Sequence, residues 1–384
     1  MNASPTEVPL AQVLGGMTRE GELHDREAGG LRCHACGHRC FIPPGRAGVC
    51  RVRFNDGGAL RVPWGYVSGL QIDPIEKKPF FHVLPGSEAL SFGMLGCDLH
   101  CAYCQNWITS QALRDKEAIA EARPMEPRAI VELALRRGAP VIASTYNEPL
   151  ITSEWTVAIL REAVPRGILG AYVSNGNATE RVLDYIQPWV TLCKVDLKSF
   201  RDRTYRSLGG TLDAVLRTIG SLWRRGFWVE IVTLIVPGLN DSDAEIDDIA
   251  GFLHDLSPDI PWHLTAFHPD YRMSGTNATG ADALRRAAAI ARARGIRFVY
   301  AGNRPGDVED LENTRCPGCG ATLVERTGFR VRRIAVDAAG ACPRCARPVP
   351  GVWAGGVRHP ALPAAGRAAP GSAAPESAAP PLQG

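Results

Sequence analysis

The spacing of apolar residues changes its rule along this chain. Up to about residue 88 apolar positions are short, scattered and broken by glycine and polar residues. From about residue 89 to 301 compact apolar runs alternate with stretches in which apolar residues recur every three or four positions. The runs predict strands at 89–96, 139–145, 168–174, 190–197, 227–236, 261–267 and 296–302. The periodic stretches predict helices at 126–138, 153–167, 211–226, 241–256 and 281–295. Asp241 and Ser242 suit a helix start, and Gly138, Gly167 and Gly226 stand where helices stop. Strands that alternate with helices pair in parallel, so the fold class is α/β. About six units in this length predict a partial (β/α)6 barrel, with its chemistry at the C-terminal strand ends.

The same patterning divides the chain. Residues 1–30 are polar and glycine-rich, and read as a loosely ordered lead-in. Residues 31–83 hold four cysteines and a hairpin with its turn at Asn55–Gly58. Residues 84–305 form the barrel, and residues 306–356 hold two CPxC knuckles around an alternating segment that reads as a hairpin. Residues 357–384 are chiefly alanine, proline, glycine and serine, a composition that cannot bury a core and predicts a disordered tail.

Composition narrows the function classes. A net charge of +3 is too small for an electrostatic footprint on nucleic acid or an anionic membrane. No run of about 18 apolar residues predicts a membrane span, and the first residues lack the order of a secretory signal. A cytoplasmic protein is the expectation, and there thiols stay reduced. The twelve cysteines therefore point to metal chemistry, and they cluster: Cys33, Cys36, Cys40 and Cys50; Cys97, Cys101 and Cys104; Cys316, Cys319, Cys342 and Cys345; with Cys193 alone in a strand pattern.

The central group, CxxxCxxC, follows the first barrel strand. Three thiolates are one short of the four that normally close a cubane iron–sulfur cluster, which leaves one iron for a non-protein ligand. A structural zinc site would want a fourth protein ligand, and no fourth cysteine is near in sequence.

The segment CDLHCAYCQN, with Tyr103 before the third cysteine, resembles the signature loop of radical S-adenosylmethionine (SAM) enzymes. The resemblance implies a 4Fe–4S cluster on Cys97, Cys101 and Cys104, with SAM chelated at the open iron. Reductive cleavage of SAM then gives a 5′-deoxyadenosyl radical that abstracts a substrate hydrogen. Further segments match at predicted strand ends and imply cofactor-binding residues beside Tyr103. Thr145-Tyr146-Asn147-Glu148-Pro149 suggests Glu148 for the SAM amino group, and Val173-Ser174-Asn175-Gly176 suggests Asn175 for the ribose. Asp196 and Lys198, on the fourth strand, and His263, on the sixth, match SAM-contacting positions of the activating-enzyme branch.

The flanking sets read as metal sites. Cys316, Cys319, Cys342 and Cys345 form a zinc-ribbon or rubredoxin-like site for zinc or iron. Cys33, Cys36, Cys40 and Cys50 suit zinc or an auxiliary cluster. Residues 31 to 353 together are similar to one subgroup, the radical SAM members of the AmmeMemoRadiSam system, related to pyruvate formate-lyase activating enzymes. The carrying motifs include Gly45-Arg46-Ala47-Gly48-Val49-Cys50, Gln105-Asn106-Trp107, the run Phe267 to Met273, and Pro350-Gly351-Val352-Trp353. That similarity implies a one-electron reductant such as flavodoxin or ferredoxin, and partners with AMMECR-type and Memo-type domains. The small net charge and the lack of an apolar span make a membrane or nucleic-acid partner unexpected.

Two other classes remain as alternatives. One is a zinc-ribbon interaction or nucleic-acid-binding module, for which Arg330, Arg332 and Arg333 offer a small basic stripe. The other is an iron–sulfur electron-transfer protein, for which the barrel is superfluous.

Overall fold

An eight-stranded sheet organises the chain, and its strands neighbour one another in chain order. They are β1 (Gly69–Pro74), β2 (Glu88–Gly93), β3 (Val141–Ser144), β4 (Leu169–Ser174), β5 (Leu192–Asp196), β6 (Trp228–Ile235), β7 (Trp262–Ala266) and β8 (Val299–Gly302). The structure, a computed structural model, describes residues 10–360. Strands β2 to β8 are parallel, and β1 pairs with β2 in the antiparallel sense. Between the parallel strands run α1 (Pro127–Arg136), α2 (Ser153–Ala163), α3 (Glu180–Ile186), α4 (Leu212–Arg224), α5 (Asp243–Leu256) and α6 (Ala281–Ala293). This is a partial barrel, left open between β8 and β1.

The strands are continuous apolar runs because helices cover one face and the barrel interior covers the other. Every residue of β3 and of β7 is buried. Helix boundaries follow local chemistry. Ser242 accepts a hydrogen bond from the Glu245 amide at 3.3 Å and so starts α5. Gly138, Gly167 and Gly226 all take left-handed φ values, of 64°, 79° and 79°, just past the helices they end.

Three parts of the organisation differ from the sequence expectation. Residues 10–30, read as a loose lead-in, hold the helix Leu10–Gly15 and the strands Thr18–Glu20 and His24–Glu27. They are ordered by pairing partners far along the chain, since Thr18–Glu20 lies against Ala59–Pro63. Strand β1 falls within residues 31–83 yet belongs to the barrel sheet. At the other end Gly356–Arg358 pair with Gly351–Trp353, and His359 is buried against the carbonyl of Phe227. Residues 357–359 are therefore not part of a disordered tail as expected, and the rest of that expectation, from residue 361, lies outside the described residues.

The hairpin expected near Asn55 is present. Asp56 pairs with Ala59, and Gly57 and Gly58 both take positive φ, as a tight two-residue turn demands. Arg53, just before the hairpin's first strand, is fully buried and forms a two-pronged pair with Glu154 of α2, at 2.7 and 2.8 Å. At the C-terminal side the strands Thr322–Thr327 and Arg330–Ile334 form the hairpin expected between the CPxC knuckles. Arg326 anchors it, reaching Glu76 at 3.3 Å and the Phe81 carbonyl at 2.7 Å, with both charged side chains shielded from solvent. Among the described residues no helix is long and apolar enough to cross a membrane.

Candidate functional site

At the C-terminal end of β2 the chain turns through Gly96, at φ 92°, into the loop that carries Cys97, Cys101 and Cys104. Side chain is excluded at this turn, because a Cβ on Gly96 would stand 2.8 Å from Val52 and 3.1 Å from the Cys50 carbonyl. The loop is held from three sides. Asp98, wholly buried, accepts from the side-chain amides of Asn175 and Asn177, each at 2.7 Å. The Arg272 amide donates to the Ala102 carbonyl at 3.0 Å, and Tyr271 stacks on Trp107 at 5.1 Å. Leu99, Cys101 and Tyr103 share an apolar cluster with Val236 and Phe267.

The three sulfurs sit where water is largely excluded. Burial pushes the Cys101 thiol up to about 12, and it raises Cys97 and Cys104 as well. Such thiols keep their protons until a metal displaces them. The Leu99 amide points at Cys97 Sγ at 3.4 Å, and the Ser110 hydroxyl lies 3.2 Å from Cys104 Sγ. Three soft donors on one rigid loop, with no fourth, fit an iron–sulfur cluster that keeps one iron open.

A cavity of about 380 Å³ opens beside this loop. Cys101, Tyr103 and Cys104 form one wall, and Lys194, Asp196 and Lys198 of the β5 end form another. The charged wall follows from strand geometry, since residues at every second position share a face. Asp196 pairs with Lys194 and, at 3.2 Å, with Lys198. Burial alone would raise the Asp196 carboxyl, but the two ammonium groups hold it down at about 2. The cavity therefore presents a permanent anion between two cations, a fit for a ligand with both signs of charge.

The predicted site residues divide in two. Tyr103, Asp196 and Lys198 line the cavity. Glu148, Asn175 and His263 are turned elsewhere. Glu148 accepts from Ser174 Oγ at 2.7 Å, from the Asn175 amide at 2.8 Å and from the Leu150 amide at 3.1 Å. Its burial, together with the nearby Asp98 charge, raises its carboxyl to about 8. Asn175 spends its side-chain amide on Asp98, so it holds the cysteine loop. His263 is two positions before Thr265, which lines the cavity, and so sits one layer deeper on the same face. There it bonds Glu230 at 2.7 Å. Glu230 also accepts from the amides of Phe81 and His82 and from the Trp228 indole, which makes His263 part of the barrel floor.

Other cavity residues escaped the sequence reading. Lys194 extends the Asp196–Lys198 alternation by one step, a visible signal. Tyr146 reaches the cavity with a left-handed φ of 68°, just after β3. Lys78, from the segment after β1, is buried and bonds Asp73 at 2.8 Å and the Tyr146 hydroxyl at 3.2 Å. Phe329, at the tip of the ribbon hairpin, lines this cavity and a larger neighbouring one of about 810 Å³. Gln105 and Asn303 are shared in the same way, so the two spaces run together under the ribbon.

The four ribbon cysteines stand ready for one ion. Their sulfurs all lie within 4.8 Å of one another, with Cys316–Cys345 at 3.5 Å and Cys319–Cys342 at 3.7 Å. A tetrahedral ion with bonds of about 2.3 Å separates its sulfurs by about 3.8 Å. Gly320 and Ala346, each following its knuckle, take the left-handed φ that folds amides back toward the first cysteine.

Comparison with known proteins gives three findings. The sequence model of the radical SAM superfamily matches residues 93–253, which span β2 to α5 and include the cysteine loop. An uncharacterized protein of Methanocaldococcus jannaschii is 38% identical over 315 residues, 80% of this chain and 91% of its own length. Among solved structures, a domain of pyruvate-formate lyase-activating enzyme from Bacteroides vulgatus is 21% identical with a TM-score of 0.38, covering 42% of this chain and 98% of its own. A radical SAM methyltransferase from Sphaerobacter thermophilus is also 21% identical, with a TM-score of 0.42 over 57% of this chain and 67% of its own.

Proposed function

We propose that this chain, which belongs to the radical SAM superfamily, cleaves SAM reductively at a 4Fe–4S cluster and directs the resulting 5′-deoxyadenosyl radical to a hydrogen of a protein, peptide or small substrate. The observation that carries the reading is the three-cysteine loop, whose Cys101 and Cys104 line a cavity walled by Lys194, Asp196 and Lys198. Cys97, Cys101 and Cys104 would hold the cluster. Lys198 and Lys194 suit the carboxylate of SAM, and Asp196 suits its cationic groups. Tyr103 and Tyr146 wall the same space. Substrate would approach through the larger space of about 810 Å³ that Phe329 also lines.

We assign zinc to the ribbon, whose sulfur spacing suits a single closed ion. The electron would come from a small one-electron carrier in a reducing compartment such as the cytoplasm. Proteins with AMMECR-type and Memo-type domains are the proposed partners, on the motifs shared with that subgroup. The reading is tested by electron paramagnetic resonance of the anaerobically reconstituted, dithionite-reduced protein. Added SAM should shift the g-values of the reduced cluster, as a ligand on iron must. A spectrum that SAM leaves unchanged would overturn it.

A further inference from the structure

The four N-terminal cysteines are not an outlying module but a neighbour of the catalytic loop. The Cys50 carbonyl packs against Gly96, the residue before Cys97. The Gly37 amide donates to the Asn177 carbonyl at 2.8 Å, and Asn177 in turn holds Asp98. His38 Nε2 lies 3.1 Å from the Asp98 carbonyl. Gly37 and His38, between Cys36 and Cys40, therefore stand against the residues that hold the Cys97–Cys101 segment.

Their surroundings are those of a built site. Cys33, Cys36 and Cys50 are each about 5–6% exposed. The Arg53 guanidinium, 1% exposed, places its Nε 3.2 Å from Cys33 Sγ while its other nitrogens are committed to Glu154. The Val49 amide points at Cys40 Sγ at 3.5 Å. A buried cation and an amide aimed at sulfur stabilise metal-bound thiolates, not neutral thiols.

Sulfur spacing selects the class of metal centre. Among the described residues, only the ribbon cysteines bring three or more such donors all within 4.8 Å of one another. The N-terminal four do not, and neither do Cys97, Cys101 and Cys104. A single tetrahedral ion requires sulfurs about 3.8 Å apart, whereas a polynuclear core holds its thiolates farther apart.

We infer that Cys33, Cys36, Cys40 and Cys50 bind an auxiliary 4Fe–4S cluster rather than zinc, seated beside the SAM-binding loop. Four cysteines close its coordination, so it offers SAM no open iron. The inference concerns a second site, and its failure is separable from failure of the SAM reading.

The test uses the full chain carrying Cys97→Ala, Cys101→Ala and Cys104→Ala, reconstituted anaerobically with iron and sulfide. This variant should keep acid-labile sulfide equal to one 4Fe–4S cluster per chain. The single ion of the ribbon contributes none. Absence of labile sulfide together with an added equivalent of zinc would overturn the inference. Should that variant fail to fold, the unaltered protein decides. Reduced with dithionite, it should show two iron–sulfur signals, of which SAM shifts one and leaves the other. A single signal, wholly shifted by SAM, would contradict it.

Discussion

Asp196 shows how one side chain sets the character of the cavity. It separates two lysines, and its carboxyl stays ionised at any working pH. SAM carries a sulfonium, an ammonium and a carboxylate, hence a net positive charge. Asp196→Asn adds one unit of positive charge to the wall that must receive it. We expect SAM affinity to fall by about tenfold or more, or about 1.4 kcal/mol, with cluster content unchanged, measured by calorimetric titration. His82 gives a second prediction. Burial holds its imidazole down at about 4, although Glu230 and its bond to the Pro350 carbonyl favour the charged form. Arg326 and His263 also face it and oppose the charge. The unfolded chain takes up a proton near pH 6.5, before the folded one does. The stabilisation is thus complete above about pH 6.5 and is lost as pH falls toward 4, by up to about 3 kcal/mol. Thermal melts from pH 7 to 5 should show this fall, and His82→Gln should flatten it. An unchanged slope would remove His82 from the account. At this scale the sequence was legible where chemistry demands a residue type. The cysteine spacing and the Asp196–Lys198 pair were visible in it. Glu148 and Asn175 were recognisable as polar residues at strand ends and His263 as one on a strand, but not where each side chain is aimed. That depends on partners remote in sequence: Ser174 donates to Glu148, Asp98 claims Asn175 and Glu230 claims His263.

The elements were legible wherever burial on both faces makes a long apolar run. All seven parallel strands lie where the pattern predicts them, within a few residues. Of the labelled barrel elements, α3 and β1 escaped. Helix α3 has only seven residues and therefore shows little period, its clearest sign being the Thr179 hydroxyl that caps Val182 at 3.2 Å. Strand β1 lies at the sheet edge and is half exposed, so its residues carry no apolar run. The join between β2 and the loop after β3 has its own requirement. A Cβ on Gly93 would meet the Thr145 carbonyl at 2.5 Å and Tyr146 Cβ at 2.8 Å. Gly93→Ala should therefore push Tyr146 from the cavity wall. We expect a cost of about 1–3 kcal/mol, seen as a melting temperature lower by several degrees, and weaker SAM binding. Normal stability and normal SAM affinity would show that the contact relaxes freely.

For the whole molecule, three cysteine sets divide the work: one on the barrel loop, one beneath it and one in the ribbon. What joins them was not legible in the sequence, because the joining pairs bridge long separations. Arg53–Glu154 and Arg326–Glu76 are buried ion pairs between modules, and neither member signals its partner in the linear pattern. Such pairs fix register more than they add stability. Here they tie the N-terminal cysteine segment to α2 and the ribbon hairpin to the segment after β1. The central claim is that the incomplete cysteine set on the barrel loop carries the reaction. The most direct measurement is 5′-deoxyadenosine formed from SAM and dithionite by the anaerobically reconstituted protein, beside its Cys97→Ala variant. The account predicts nucleoside from the unaltered protein and none above background from the variant. Equal amounts from both, or none from either, would contradict it.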